Sequence, residues 1–148
     1  PDAVTFAKGM GNGMPVGALW ARKDIASVLQ PGDHGSTYSG TALATAAVNA
    51  VISEMKRLNA PELAVRQGDR LSKGLSSISK IDHVRGSGLL LGAQLKDGIV
   101  AGDVYKDLLE AGLIVNAVNA TTLRFAPPLT VSDAEIDEAV AMVKEVLK

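Results

Sequence analysis

The 148-residue sequence contains no cysteine. That excludes a disulfide framework and cysteine-based zinc sites, and it fits a reducing cytosol. Aromatic residues make up only 3%, so aliphatic side chains and alanine must build any core. No apolar run approaches the roughly 20 residues that a membrane-spanning helix needs, and no signal peptide is visible. Charge of neither sign dominates: 15 Lys and Arg oppose 16 Asp and Glu, a net charge of -1. Without a basic stripe interleaved with aromatics, neither nucleic acid nor an anionic membrane surface has an electrostatic claim on the chain. The histidines, His34 and His83, have no neighbouring ligand set, so no metal site is expected.

What remains is an ordinary globular balance, with 47% hydrophobic and 21% charged residues. The start, Pro1-Asp2-Ala3-Val4-Thr5-Phe6, reads as the middle of a chain, so an upstream portion is expected. Val4 to Ala7 predicts a short buried strand, and Val16 to Ala21 a second one beyond a glycine cluster. Asp24 is placed to cap a short helix that Pro31-Gly32 ends. His34 to Gly40 reads as a loop, and Thr41 to Leu58 as a long helix closed by Asn59-Ala60-Pro61. A further helix is expected from about Glu62, since Ala64, Gly68, Leu71, Leu75 and Ile78 step by four and three. Strands on either side of a glycine turn are expected between His83 and Leu95. A helix over Asp103 to Ala111 should end with Gly112 in the left-handed position. Leu113 to Val118 and Thr121 to Phe125 read as strands joined at Asn119-Ala120. Ser132-Asp133-Ala134-Glu135 is a capping box that opens the final helix.

Three motifs carry chemistry. In Thr5-Phe6-Ala7-Lys8-Gly9-Met10-Gly11-Asn12-Gly13, a lysine follows a strand and precedes glycines. Burial there would favour a neutral amine, which can attack an aldehyde, although a lysine at a strand edge is usually just solvated. In His34-Gly35-Ser36-Thr37-Tyr38-Ser39-Gly40, hydroxyls precede a long helix. They suit an anion at its N-terminus or a simple cap. In Thr122-Leu123-Arg124-Phe125-Ala126-Pro127-Pro128-Leu129, an arginine stands among apolar neighbours. Its fork matches a carboxylate, either of a substrate or of another protein residue. Trp20 reads as packing, and Arg85-Gly86-Ser87-Gly88 as a turn without assigned chemistry.

Ala7 to Ala18, Ala-Lys-Gly-Met-Gly-Asn-Gly-Met-Pro-Val-Gly-Ala, closely resembles the cofactor-lysine segment of the class III pyridoxal-phosphate (PLP) aminotransferases, most of all the acetylornithine type. The resemblance implies that Lys8 carries PLP through its side-chain nitrogen and moves the proton between substrate Cα and cofactor C4′. It implies that Thr37 bonds the PLP phosphate of a partner subunit, that Ser36 lies near the substrate, and that Arg124 binds the α-carboxylate of glutamate or 2-oxoglutarate. The family pattern continues Phe-Gly-Gly-Asn-Pro-Leu-Ala after the threonine; here Tyr38-Ser39-Gly40-Thr41-Ala42-Leu43-Ala44 stands instead, keeping the second glycine.

The implied fold is α/β, fold type I of the PLP enzymes. Residues 1–59 would be the end of the large domain and its connecting helix, and 60–148 the small C-terminal α/β domain. The implied reaction moves the δ-amino group of N2-acetylornithine to 2-oxoglutarate in a cytoplasmic homodimer with shared sites, serving arginine biosynthesis. Related donors (ornithine, 4-aminobutyrate, succinyl-diaminopimelate) and a non-catalytic dimerising module are the alternatives. The family's pyridine-nitrogen aspartate, ring-stacking aromatic and main phosphate turn fall before Pro1, so residues 1–148 alone are expected to be catalytically dead or nearly so.

Overall fold

A computed structural model describes residues 1–148. The chain divides into two compact units, Pro1–Leu58 and Asn59–Lys148.

The first unit opens with an antiparallel hairpin of β1 (Ala3–Phe6) and β2 (Ala18–Ala21). The strand expected over Val4 to Ala7 is present but not buried: Val4 is half-buried and Phe6 is 47% exposed. Trp20, expected to pack, is 50% exposed. A two-stranded sheet has no second layer of its own, so its apolar side chains stay open unless another element covers them. Arg22 ties the hairpin's ends, pairing with Asp2 and Asp24, each at 2.8 Å. That contact corrects the capping role expected of Asp24. The one-turn helix α1 (Lys23–Ala26) has Arg22 as its N-cap. The Asp24 carboxylate is instead held by the Arg22 guanidinium, which keeps it below the ordinary carboxylate range.

Residues 27–41 run as turns into α2 (Ala42–Arg57). Asn59, at φ 49°, takes the left-handed conformation that stops a helix and that asparagine tolerates better than most residues.

In the second unit, α3 (Ala60–Ser76) starts two residues before the expected Glu62. Pro61 does not delay it, because proline lacks only an N–H that the first helical turn leaves free and its fixed φ suits that turn. A four-stranded antiparallel sheet follows in the order β3-β4-β6-β5, formed by β3 (Ile81–Ser87), β4 (Leu90–Leu95), β5 (Asn116–Ala117) and β6 (Thr122–Phe125). Helix α4 (Ala101–Glu110) joins β4 to β5, and α5 (Asp133–Val146) closes the chain.

One face of this sheet makes the core. Leu91, Ala93, Leu95, Leu123 and Phe125 pack with Leu71 and Leu75 of α3, Leu108 of α4, and Ile136 and Val143 of α5. Each fully buried aliphatic side chain contributes roughly 1.5–3 kcal/mol, so this aliphatic cluster holds the unit without help from many aromatics. Gly68 permits close approach: a Cβ there would stand 2.1 Å from the carbonyl oxygen of Gly88. The α4 terminus and the α5 start are as the sequence predicts. Gly112 is at φ 95°, with Leu113 N–H donating to Leu108 O and Gly112 N–H to Leu109 O, the Schellman pattern. Ser132 and Glu135 form the reciprocal capping box.

Candidate functional site

The first group of chemistry-bearing residues belongs to the Pro1–Leu58 unit. Lys8 opens a single 3-10 turn, Lys8–Met10, directly after β1. Ala7 is fully extended, and Lys8 then swings to φ 52°. Left-handed backbone costs a non-glycine residue roughly 1–2 kcal/mol, and such strain concentrates at functional positions. The turn is fixed by Met10 N–H to Ala7 O at 3.1 Å and Asn12 N–H to Gly9 O at 3.2 Å. Gly11 is obligatory: a Cβ would meet Met14 O at 2.3 Å and Val16 Cγ1 at 2.6 Å. Asn12 is also left-handed, at φ 45°.

The Lys8 side chain is exposed and takes no part in the chain's ion pairs. Within residues 1–58 the strand end is open. Residues of this unit present the amine but do not desolvate it, because β1 has no covering layer. What the sequence reading lacked is the strained φ, which residue types alone do not reveal at a lysine.

Ser36 and Thr37 lie in the turns before α2, both exposed. Ser36 Oγ accepts a long bond from Tyr38 N–H, 3.4 Å, and Ser36 O accepts from Ser39 N–H at 3.2 Å. Thr41 is the N-cap of α2, yet its side chain makes no capping bond. The amides of the first α2 turn thus keep their capacity to meet an anion.

Arg124 belongs to the second unit, on β6. Thr122, Leu123 and Phe125 are buried, whereas Arg124 is exposed. Within this unit its charge is not buried. Leu123 and Phe125 face the core, and strand alternation puts Arg124 on the opposite face. The Arg124 Nη2 group donates to Asn116 Oδ1 at 2.9 Å, a neutral acceptor that orients the guanidinium and leaves its charge uncompensated. Asn116 is a partner of Arg124 that the sequence reading missed. Its signal was available: a turn around Ala120 pairs Asn116 with Arg124, the register observed. Asn119 Oδ1 supports that turn by accepting from Thr121 N–H at 3.0 Å.

The chain therefore offers an exposed, strained amine and a hydroxyl loop before an uncapped helix in one unit. In the other it offers a guanidinium held on an open sheet face. The sequence model "Aminotransferase class-III" matches residues 1–147. An acetylornithine aminotransferase of Caldanaerobacter subterraneus subsp. tengcongensis is 40% identical over 151 residues, covering 99% of this chain and 38% of that protein. The chain thus spans about two fifths of the length of such relatives.

Among solved structures, the acetylornithine aminotransferase of Elizabethkingia anophelis superposes with a TM-score of 0.88 at 29% identity, over 99% of this chain and 40% of that one. The ornithine aminotransferase of Toxoplasma gondii, described with PLP at partial occupancy in its active site, gives a TM-score of 0.90 at 29% identity, over 99% and 36%. The fold is that of the corresponding part of the PLP-dependent transferases of fold type I, and the chain belongs to the class-III aminotransferase family.

Proposed function

We propose that the chain is the C-terminal part of an acetylornithine aminotransferase, with Lys8 as the residue that carries PLP. The observation that carries this reading is the left-handed backbone at Lys8, which lifts an unpaired amine off the end of β1 within a segment of the family's lysine motif. Residues 1–59 are then the end of the large domain with its connecting helix, and 60–148 the small domain.

The donor set fits the cofactor. PLP brings an aldehyde and a phosphate. The chain offers an unpaired primary amine at Lys8, a free hydroxyl at Thr37 and an N-terminal helical turn without a side-chain cap. When bound, PLP supplies the electron sink for the charge left as the Cα proton departs. Lys8 would hold the cofactor through its amine and would carry the proton that leaves substrate Cα. Thr37 donates to the phosphate of the partner subunit's cofactor. A hydrogen bond to such a charged acceptor is worth roughly 1.5–3 kcal/mol. Ser36 borders the substrate. Arg124 binds the α-carboxylate of glutamate or 2-oxoglutarate through its fork, with Asn116 fixing its direction.

Both half-reactions use one site, so ping-pong kinetics follow. The full-length protein works as a cytoplasmic homodimer in arginine biosynthesis, passing the δ-amino group of N2-acetylornithine to 2-oxoglutarate. The likeness to the Toxoplasma gondii ornithine aminotransferase favours ornithine as a second reading of the amino donor.

The deciding experiment offers the full-length protein N2-acetylornithine, ornithine, 4-aminobutyrate and succinyl-diaminopimelate in turn, with 2-oxoglutarate as acceptor. The highest kcat/KM is expected with N2-acetylornithine, and no turnover in Lys8→Ala. A preference for ornithine would install the second reading. Turnover of none, or turnover that survives Lys8→Ala, would remove both.

A further inference from the structure

The glycine-rich segment after Lys8 holds a group with chemistry of its own. The sequence has five asparagines, Asn12, Asn49, Asn59, Asn116 and Asn119. Four of them precede alanine, and Asn12 alone precedes glycine. The amide nitrogen of a following residue can reach an asparagine's side-chain carbonyl carbon, unless the follower's own side chain stands in the way. Gly13 has none.

Gly11 to Met14 form a tight turn, closed by Met14 N–H donating to Gly11 O at 3.1 Å. Its central residues are both left-handed, Asn12 at φ 45° and Gly13 at φ 102°. This is the mirror-image turn that an Asn-Gly pair favours. Its closing bond does not use the amide of its third residue, and Gly13 N–H donates to no backbone oxygen. The Asn12 side chain makes no hydrogen bond, since the first side-chain donor along the chain is Arg22 and no later one reaches Asn12. Both residues are exposed in the Pro1–Leu58 unit. A Cβ at Gly13 would meet nothing within 4 Å, so the nucleophile and the carbonyl have open space around them.

The other asparagines are engaged. Asn49 lies inside α2, where the helix holds the next N–H. Asn59 precedes the buried Ala60. Asn116 Oδ1 accepts from Arg124 at 2.9 Å, and Asn119 Oδ1 from Thr121 N–H at 3.0 Å.

We propose that Asn12 is a self-modification site, converting to an isoaspartyl or aspartyl residue, and that the isoaspartyl form breaks the turn that presents Lys8. The Gly13 nitrogen attacks Asn12 Cγ. A C–N bond forms to Cγ, the Cγ–Nδ2 bond breaks, and ammonia leaves with the proton that Gly13 N–H gives up. Water then opens the cyclic imide. Attack at the side-chain carbonyl gives aspartate. Attack at the main-chain carbonyl gives isoaspartate, whose backbone runs through the former side chain and is longer by a carbon. That carbon falls between Asn12 N–H, which donates to Gly9 O at 3.2 Å, and Met14 N–H, which closes the next turn. The modification is independent of the reading of Lys8; its effect on activity rests on that reading.

The test incubates the full-length protein in mildly alkaline buffer. Peptide mass spectrometry follows the change from amide to acid, and an isoaspartate-specific methyltransferase counts the isoaspartyl product. Asn12 should convert while the four Asn-Ala sites remain amides, releasing an equal amount of ammonia. Asn12→Gly, which accepts φ 45° and carries no amide, should release none. Turnover should fall in step with isoaspartyl content, and Asn12→Gly should keep its activity. An Asn12 peptide that stays intact in the folded protein but converts once the protein is unfolded would overturn the proposal, as would conversion of an Asn-Ala site at the same rate. Borohydride trapping on Lys8 of the fresh protein keeps the two readings apart. Where Lys8 is trapped, conversion of Asn12 without loss of turnover would overturn the effect on the turn. No trapping would sink the reading of Lys8 alone, because the mass change at Asn12 does not depend on it.

Discussion

Arg124 of β6 and Asn116 of β5 are cross-strand partners, and the arginine donates to the asparagine's side-chain oxygen at 2.9 Å. The bond aims a guanidinium without neutralising it. Removing the acceptor should cost orientation and leave the charge intact. Asn116→Ala in the full-length protein is therefore expected to raise KM for 2-oxoglutarate about three- to tenfold, one hydrogen bond's worth, with kcat changed less. Asn116→Asp should do more harm than Asn116→Ala, since a carboxylate would compete with substrate for the same fork. Steady-state kinetics on the two variants check both statements.

The left-handed conformation at Lys8 predicts a difference between two inactive variants. Lys8→Gly and Lys8→Ala both remove the amine. Glycine alone adopts φ 52° without a Cβ penalty. Chemical denaturation of the apoprotein should find Lys8→Gly more stable than Lys8→Ala. The backbone penalty that glycine escapes is about 1–2 kcal/mol, offset in part by the greater freedom of the unfolded glycine chain. Equal stabilities would mean that the turn at the end of β1 is not held in this conformation.

Helix α5 depends on its first turn. Ser132 Oγ accepts from Glu135 N–H while the Glu135 carboxylate accepts from Ser132 N–H at 2.7 Å. Ser132→Ala should lower stability by about 1 kcal/mol, seen as a shift of the denaturation midpoint at constant slope. Ser132→Asp, which keeps an acceptor, should recover most of it.

Acid should weaken the same region. Backbone N–H donation from Ser132, followed by its hydroxyl, holds Glu135 below its ordinary value, and the Arg70 guanidinium does the same for Asp137. Arg70 bridges α3 to α5, meeting Asp137 at 2.5 Å and Asp133 at 3.2 Å. A carboxylate lowered in the folded state gives stability that is complete above its unfolded value and disappears as pH falls through the lowered folded one. The loss should therefore begin below the ordinary carboxylate values, 4.5 for glutamate and 3.8 for aspartate, and continue further down. Both partners are solvent-exposed, so the effect is modest and shrinks in salt. Denaturation midpoints measured between pH 7 and pH 2.5 should show it, with a shallower profile in Arg70→Ala.

These outcomes also separate what the sequence could tell from what it could not. The Gly112 terminus of α4 and the Ser132–Glu135 box are local devices, written in adjacent residues, and both were legible. The start of α3 was misplaced because Pro61 reads as a breaker, whereas a first helical turn accepts it. Asp24 looked like a cap because its competition for Arg22 depends on chain folding that brings Arg22 beside it and Asp2.

The candidate site divides the same way. Lys8, Ser36, Thr37 and Arg124 stood out by residue type and by resemblance. Their surroundings did not. An apolar run before Lys8 suggests burial, but burial needs a covering layer, and residues 1–58 supply none. Arg124 sits among buried neighbours in sequence and still faces outward, since alternation decides the face. Asn116 becomes visible once the turn at Asn119-Ala120 is used to set the register, a relation between strands rather than along one.

The central claim is that the amine of Lys8 is the covalent attachment point of PLP. It is tested most directly by reducing the PLP-loaded full-length protein with borohydride and mapping the modified residue by peptide mass spectrometry. The label is predicted on the peptide that contains Ala7-Lys8-Gly9, at one equivalent per chain, and to be lost in Lys8→Ala. A label on another lysine, or undiminished labelling of the Lys8→Ala protein, would contradict it.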